Sequence, residues 1–295
     1  MVMKMSKLTS EEEEVIVKKG TEAPFSGKYN DHFESGIYVC RQCGLPLYNS
    51  RDKFKSSCGW PSFDDELPAA VRRTPDPDGM RTEITCKRCG GHLGHVFKGE
   101  GITAKNTRHC VNSVSMEFIP REKIESEEIV LGGGCFWCTE AAFSLVQGVL
   151  SVASGYAGGT LENPTYQQVC QGNTGHAEVV KVEYYPEAVS LEKILDVFFT
   201  VHDPMQLNRQ GEDIGTQYRS IILYTSEWQS AEVEKYLGRI KGEFENPITT
   251  EVKKLEKFYP AEDYHKEYYK NNPEKGYCTL VISPKIKKVK EKLGN

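Results

Sequence analysis

No long apolar run occurs anywhere in the 295 residues, and that absence excludes a membrane-spanning helix of the usual kind. The first residues, Met1 to Glu14, carry lysines but no apolar stretch such as a secretory leader needs. The expected location is the cytoplasm, and a leader removed beforehand would leave export open. Positive charge is not in excess: 37 Lys and Arg against 42 Asp and Glu leave a formal net charge of -5, which argues against a nucleic-acid partner. The one basic run, Lys285 to Lys292, is expected to be a solvated helix face or tail. Ten cysteines are too sparse over this length for a disulfide scaffold. No internal repeat relates the two halves.

A hydrophobic fraction of 38% with 27% charged residues describes a soluble globular chain long enough for two domains. Residues 1–20 form a polar segment with a Glu-rich helix candidate, Ser10 to Lys18, that carries no chemistry. From 21 to 120, short alternating runs between turn signals such as Pro75 to Gly79 predict a mainly antiparallel β domain. One strand, Gly36 to Val39, delivers Cys40, and another, Val114 to Ile119, ends at Pro120. Residues 121–128 are charged without a hydrophobic face and read as a linker.

From 129 to 295 helical and strand periods alternate, which predicts an α+β two-layer sandwich. Strands are expected at Glu128–Leu131, Val149–Tyr156, Ala177–Tyr184, Gln217–Tyr224 and Thr249–Leu255. Helices are expected at Cys135–Leu145, Leu191–His202, Ala261–Asn271 and, from a capping box of Ser226 with Gln229, up to Lys241. A loop then holds Cys278.

The cysteines carry the chemistry. Cys40 with Cys43 and Cys86 with Cys89 are two C-x-x-C knuckles, which supply four thiolates for a closed, tetrahedral, structural zinc site; the competing reading is two redox dithiols. In Leu131-Gly132-Gly133-Gly134-Cys135-Phe136-Trp137-Cys138, a strand runs through three glycines into a cysteine at a helix start. Unpaired N–H groups and the positive end of the helix dipole favour a thiolate there. The bland reading is a tight turn with Cys135 as buried filler. Cys58 and Cys110 remain in the first half. Arg108 and His109 beside Cys110 can stabilise a thiolate, Asn112 offers an amide, and His92 and His95 can donate protons, although each histidine alone suits a structural hydrogen bond and Trp60 alone suits a core.

The zinc knuckles, Cys58-Gly59-Trp60-Pro61-Ser62-Phe63, Gly91-His92-Leu93-Gly94-His95-Val96-Phe97 and Arg108-His109-Cys110-Val111-Asn112-Ser113 resemble the type B methionine sulfoxide reductases over about residues 21 to 120. The resemblance implies Cys110 as nucleophile and Cys58 as resolving thiol. It implies Trp60 as a wall of the methyl pocket, with His92, His95, His109 and Asn112 polarising the sulfoxide. His109 departs from the aromatic phenol or phenyl ring that many relatives carry.

The second half resembles the type A methionine sulfoxide reductases in Gly134-Cys135-Phe136-Trp137, Tyr166, Gly175-His176-Ala177-Glu178, His202-Asp203-Pro204 and Asp213 to Arg219. The resemblance implies that Cys135 attacks sulfur and that Phe136 and Trp137 hold the methyl group. Glu178, Tyr166 and Tyr218 then contact the sulfoxide oxygen, with Asp213 in the polar surround. The chemistry itself asks for a thiolate on one side of sulfur and an acid at oxygen, and a Glu178 desolvated by Phe136 and Trp137 suits the second task. The resulting sulfenic acid needs a second thiol. Cys278, at a family position for recycling cysteines, is preferred over Cys138; Cys170 reads as a buried bystander.

The chain as a whole thus reads as a bifunctional reductase of methionine sulfoxide in peptides and proteins, recycled by thioredoxin or an equivalent dithiol. A pocket that fixes methyl and oxygen accepts one hand of a sulfoxide, so two sites are needed. The resemblance implies the S epimer, free or protein-bound, for type A and the R epimer, mainly protein-bound, for type B. Competing readings are a general thiol-disulfide oxidoreductase and a zinc-stabilised binding module.

Overall fold

The computed structural model describes residues 5–77 and 79–293; the expected turn at Pro75–Gly79 includes Asp78, which lies outside the described residues. The chain divides into two compact units, Met1–Glu125 and Ser126–Asn295.

The first unit is built from two antiparallel sheets. Six strands lie in the order Lys53–Phe54, Ser62–Phe63, Thr107–Val111, His92–Lys98, Thr82–Cys86 and Val71–Pro75. Three more, Pro46–Asn49, Gly36–Cys40 and Met116–Pro120, form the second sheet. Tyr38, Tyr48 and Phe63 are fully buried between them, with Tyr48 stacked on Phe63 at 4.4 Å. Paired residues of adjacent strands share a face. Ser62 opposes Cys110, Cys110 opposes His95 and His95 opposes Glu83, so one row of side chains crosses the sheet. Gly94, at φ +150, stands where a Cβ would fall 2.0 Å from the Cys110 carbonyl oxygen, so only glycine lets the two strands close here.

The opening segment is not idle. Its helix, Ser10–Ile16, is started by a Thr9–Glu12 capping box, buries Val15 and Ile16, and pairs Glu12 with Arg41 at 2.6 Å, next to Cys40. The expected linker is also partly structured. Arg121–Lys123 form a 3₁₀ turn, and Glu127–Gly132 is already a strand because the Tyr184 hydroxyl donates to Glu127 at 2.6 Å and Gln229 to the Glu128 carbonyl.

The second unit is mixed α/β. Its sheet runs Glu251–Lys254, Ile221–Tyr224, Glu127–Gly132, Ala177–Tyr184, Val149–Ala157, Phe258–Pro260, antiparallel except between the first two. Ile129, Leu131, Val180 and Val182 face a core shared with the helices Phe136–Phe143, Leu191–Val201 and Glu227–Ile240, while Val130 and Val179 face a smaller apolar cluster. Helix Leu191–Val201 buries Leu191, Ile194, Leu195, Val197, Phe198 and Val201, the stripe of a helix lying on a core, and Ser190 caps it. Helix Glu227–Ile240 is capped by Ser226 alone, because the Gln229 side chain takes the Thr225 N–H instead.

Two expectations for the tail are corrected. The helix expected over Ala261–Asn271 shrinks to a 3₁₀ turn, Asp263–His265, and a short helix, Tyr268–Asn271. Cys278 is not in a loop: it opens a wide helical turn, Cys278–Ile282, that continues into Ser283–Leu293. The Lys-rich end is a solvated helix face, as expected, on a helix whose other side buries Ile282, Ile286 and Val289 at helical spacing.

Candidate active sites

In the first unit the four knuckle cysteines converge. All four sulfurs lie within 4.8 Å of one another, with Cys40 and Cys89 3.6 Å apart and Cys43 and Cys86 also 3.6 Å apart. Backbone bonds from Gly44 N–H to the Cys40 carbonyl and from Gly90 N–H to the Cys86 carbonyl, 2.8 Å each, turn the two knuckles.

The second cysteine pair of this unit is separate from that cluster. Cys58 Sγ lies 3.7 Å from Cys110 Sγ, and the Ser56 and Ser62 hydroxyls lie within 3.0 and 3.5 Å of Cys58. The hydrogen bond from Cys110, with those hydroxyls, holds the Cys58 thiol down to about 4. The same hydrogen bond, with burial, pushes Cys110 up, against the pull of the Arg108 guanidinium. The pair therefore shares one proton. His95 stands across from Cys110 with Nε2 3.2 Å from Asp76 Oδ2. His92 is buried, donates to Glu83 Oε1 at 2.7 Å, and is pushed toward its neutral form by burial. Trp60 is half-buried and its indole N–H donates to the Glu22 carbonyl at 3.1 Å.

One expected substrate contact, His109, does not face this pair, and a second, Asn112, makes bonds of its own to the backbone. His109 precedes Cys110 on one strand, so it points to the opposite face. It is fully buried there, with Nδ1 3.1 Å from the Tyr48 hydroxyl and Nε2 3.1 Å from Glu66 Oε2 and 3.2 Å from Arg73 Nη2. The Asn112 amide is committed to the backbone, donating to the Leu93 carbonyl at 3.0 Å and accepting the Glu22 N–H at 3.1 Å. Glu22, which sequence reasoning missed, ties the opening loop to this site: its carboxylate accepts N–H bonds from Ser113 and Val114.

In the second unit Cys135 is the N-cap of helix Phe136–Phe143, delivered by Gly134 at φ +87, where a Cβ would meet the Gln210 side chain at 2.8 Å. The expected thiolate is not favoured in this state. Cys135 is 6% exposed, and burial, the hydrogen bond with Cys138 and the nearby Glu178 push it well up. A helix start is worth about 0.3–2 kcal/mol, less than the several pKa units that full burial can impose. The bond with Cys135 and the charge of Lys285 instead lower Cys138 against burial. The Tyr277 hydroxyl reaches both sulfurs and donates to Asp213 Oδ2 at 2.9 Å.

Glu178 accepts the Phe136 N–H at 3.1 Å, is 2% exposed, and is pushed up by burial to about 8. Tyr166 and Tyr218 both feel the Glu178 charge, and the Gly134 N–H bonds to the Tyr218 carbonyl. Phe136 stacks toward Tyr166 at 6.3 Å. Trp137 stacks on Tyr268 at 3.7 Å and its indole N–H donates to His265 Nδ1 at 3.1 Å. His265, Tyr268 and Tyr277 are thus aromatic neighbours that sequence reasoning missed. The density of Tyr and His between Tyr259 and Tyr277 was the available signal.

The remaining thiols diverge from expectation. Cys278 is fully buried, and the thiol that it feels is Cys138. Cys170 is exposed, because Val169 takes the buried place at the end of its short helix, and it bonds with Tyr166. A carboxyl above a buried thiol pair, framed by aromatic rings, can activate an oxygen on a soft atom and reduce that atom by two electrons.

Comparison with known proteins agrees. The family model described as peptide methionine sulfoxide reductase matches residues 127–295, and that of the SelR domain matches residues 8–120, from before the helix Ser10–Ile16. The chain is 52% identical to peptide methionine sulfoxide reductase MsrA of Haloquadratum walsbyi over 166 residues, 56% of this chain and 95% of that protein. It is 55% identical to its namesake in Natronomonas pharaonis over 163 residues, 55% of this chain and 92% of that one. Methionine sulfoxide reductase A of Corynebacterium diphtheriae superposes with a TM-score of 0.50 at 36% identity, covering 52% of this chain and 78% of that one. Mxr1 of Saccharomyces cerevisiae in reduced form gives 0.50 at 35%, covering 52% and 89%. The chain belongs to the peptide methionine sulfoxide reductase family, a SelR (type B) half joined ahead of a type A half, and is an oxidoreductase for both the R and the S form of methionine sulfoxide.

Proposed function

We propose that both halves run one thiol cycle on opposite hands of the sulfoxide, at Cys110 with Cys58 in the type B half and at Cys135 with Cys138 in the α+β sandwich of the type A half. The observation that carries the reading is the cysteine pair in each half, Cys58 with Cys110 at 3.7 Å in the first and Cys135 with Cys138 on one helix start in the second. In the type A half the substrate methyl group lies against Phe136 and Trp137, with the oxygen toward Glu178, Tyr166 and Tyr218; Asp213 acts through the Tyr277 hydroxyl. Cys135 passes its proton to the Cys138 thiolate and attacks sulfur, while Glu178 gives its proton to the oxygen. Methionine leaves, and Cys135 holds the oxygen as a sulfenic acid. Glu178 takes back the proton that Cys138 received; Cys138 then attacks the Cys135 sulfur, and hydroxide leaves as water with that same proton. One sulfoxide is reduced and two thiols are oxidised to a disulfide.

The shared helix start, where the Cys138 N–H bonds to the Cys135 carbonyl at 3.1 Å, favours Cys138 as the first resolving thiol over Cys278. Cys278, whose thiol feels the charge of Cys138, is the next acceptor of the disulfide. In the type B half Cys110 attacks, His95 serves the oxygen, and Trp60 walls the methyl group. The neutral, buried His92 and Asn112 hold the frame, and Cys58 resolves. Thioredoxin or an equivalent dithiol returns each disulfide to thiols, which makes the chain a repair enzyme for oxidised proteins, acting on the S epimer free or protein-bound and on the R epimer mainly in proteins.

The four-cysteine cluster fits zinc. Four sulfurs about 2.3 Å from a tetrahedral ion stand about 3.8 Å from one another, which accords with the 3.6 Å pairs. Cys40, Cys43, Cys86 and Cys89 would hold the ion in a closed shell, where it supplies cross-linking and no catalysis.

The test uses the full chain with Cys110→Ser and Cys135→Ser made separately, assayed on pure epimers of a methionine sulfoxide peptide with a dithiol reductant. Each substitution is expected to remove reduction of one epimer by about 10³-fold or more and leave the other. Loss of both epimers with either variant, or of neither, overturns the reading.

A further inference from the structure

A cation from the C-terminal helix lies beside the helix start that carries the type A cysteine pair. Lys287, Lys288, Lys290 and Lys292 of helix Ser283–Leu293 are exposed, as lysines usually are, but Lys285 is half-buried. Its Nζ lies 4.0 Å from the position that a Cβ on Gly134 would take, beside the residue preceding Cys135. Among the described residues no carboxylate lies within ion-pair distance of it. An ammonium with no carboxylate paired to it keeps its charge free to act on a negative group nearby.

The groups around Cys138 say where that charge sits. Cys138 faces Cys135, the Tyr277 hydroxyl, Asp213, Glu178 and Cys278. His202, at the end of the neighbouring helix, is fully committed to the Phe198 carbonyl and Ser220 hydroxyl and is pushed down by burial to about 4, so it is neutral. Asp213 works against a thiolate at Cys138, as does Glu178 once it has given up its proton. Lys285 is the cation set against them.

We infer that Lys285 is a positioning residue of the type A half, whose ammonium keeps the negative charge of the cysteine pair on Cys138, the sulfur that must attack the Cys135 sulfenic acid. In that step the S–O bond of Cys135 breaks, an S–S bond forms, and hydroxide leaves as water with the proton from Glu178. The Cys138 sulfur is oxidised and the Cys135 sulfur reduced. The inference rests on Cys138 as the resolving thiol. It also gives the helix after Cys278 a chemical task besides covering the core.

The experiment compares the full chain with its Lys285→Met and Lys285→Arg variants, each in a Cys110→Ser background. Iodoacetamide labelling of reduced protein, read on the Cys138 peptide by mass across pH, reports its ionisation. Quenched single turnovers on an S-sulfoxide peptide report disulfide closure. Lys285→Met is expected to raise the pH of half-labelling by about one unit and to slow closure about tenfold at pH 7, with Lys285→Arg restoring both. An unmoved labelling profile in Lys285→Met, or equal damage in Lys285→Arg, overturns the inference. Cys138→Ser separates the two layers. If that variant still closes a disulfide at the parent rate, the resolving role falls and the inference with it; if it blocks closure while Lys285→Met does not slow it, the inference alone falls.

Discussion

The N-terminal unit assembles its reactive pair from a loop at Cys58 and a strand at Cys110, 52 residues apart, and leaves both sulfurs half-buried. The C-terminal unit takes its pair from one helix start, three residues apart, and buries Cys135 to 6% and Cys138 to 1% exposure. A local pair keeps its spacing as long as one helical turn survives on a large core. A distant pair keeps it only while every strand between holds register, since a one-residue slip would send Cys110 to the other face. The unit with the distant pair also has the four-sulfur cluster, which joins the strand ending at Cys40 to the strand ending at Cys86. The groups proposed to serve the oxygen differ in the same sense: an imidazole at the sheet row in one unit, a carboxyl desolvated to about 8 in the other.

Metal removal breaks this comparison hardest. A structural zinc contributes on the order of 10 kcal/mol to folding. Stripping it with a strong chelator under reducing conditions is expected to unfold the N-terminal unit and abolish reduction of the R epimer. Reduction of the S epimer should continue at its former rate. Epimer-resolved assays on stripped and zinc-restored protein check this, and parallel loss of both activities would mean that the cluster does not belong to one unit's stability alone.

The proton donors give the next largest effect. With its pKa raised to about 8, Glu178 is an acid at pH 7 and loses that proton as pH rises through about 8. Single-turnover reduction of the S epimer should therefore fall along that limb. Glu178→Gln should lower the rate about a hundredfold, roughly 2.7 kcal/mol, and remove the limb, with substrate affinity nearly unchanged. Reduction of the R epimer, at a site that Glu178 does not belong to, should be unchanged by Glu178→Gln; an equal loss for both epimers would place the effect outside the type A site.

What could be read from the chain follows from how local each signal is. Cys40 to Cys43, Cys86 to Cys89 and Cys135 to Cys138 are spacings within one turn, so the pairs were legible, and the elements that deliver Cys40 and Cys135 were placed to within two residues. The strand Ala177–Tyr184 carries its own alternation and needed no partner to be recognised. Cys278 and Cys170 went the other way because each depends on tertiary contact: a wide helical turn put the first inside, and Val169 displaced the second. The bonds of the Asn112 amide to Leu93 and Glu22 were not legible, because both partners are distant in sequence. Burial of Cys135 outweighed the helix start that the motif advertised.

His109 tests the face argument at the smallest scale. Adjacent strand residues point apart, so the ring next to the nucleophile should matter to the core and not to the sulfoxide. In His109→Phe, Glu66 and Arg73 keep their own paired bonds at 2.7 and 2.8 Å, but the Tyr48 hydroxyl loses its ring partner in a site with no water access. One unpaired buried hydroxyl costs about 1–3 kcal/mol. Denaturant unfolding should register that loss in the N-terminal unit, with kcat and KM for the R epimer unchanged below the new midpoint. If KM rose instead while stability held, the ring would be touching substrate after all, and the row Ser62, Cys110, His95, Glu83 would no longer define the working face of the sheet.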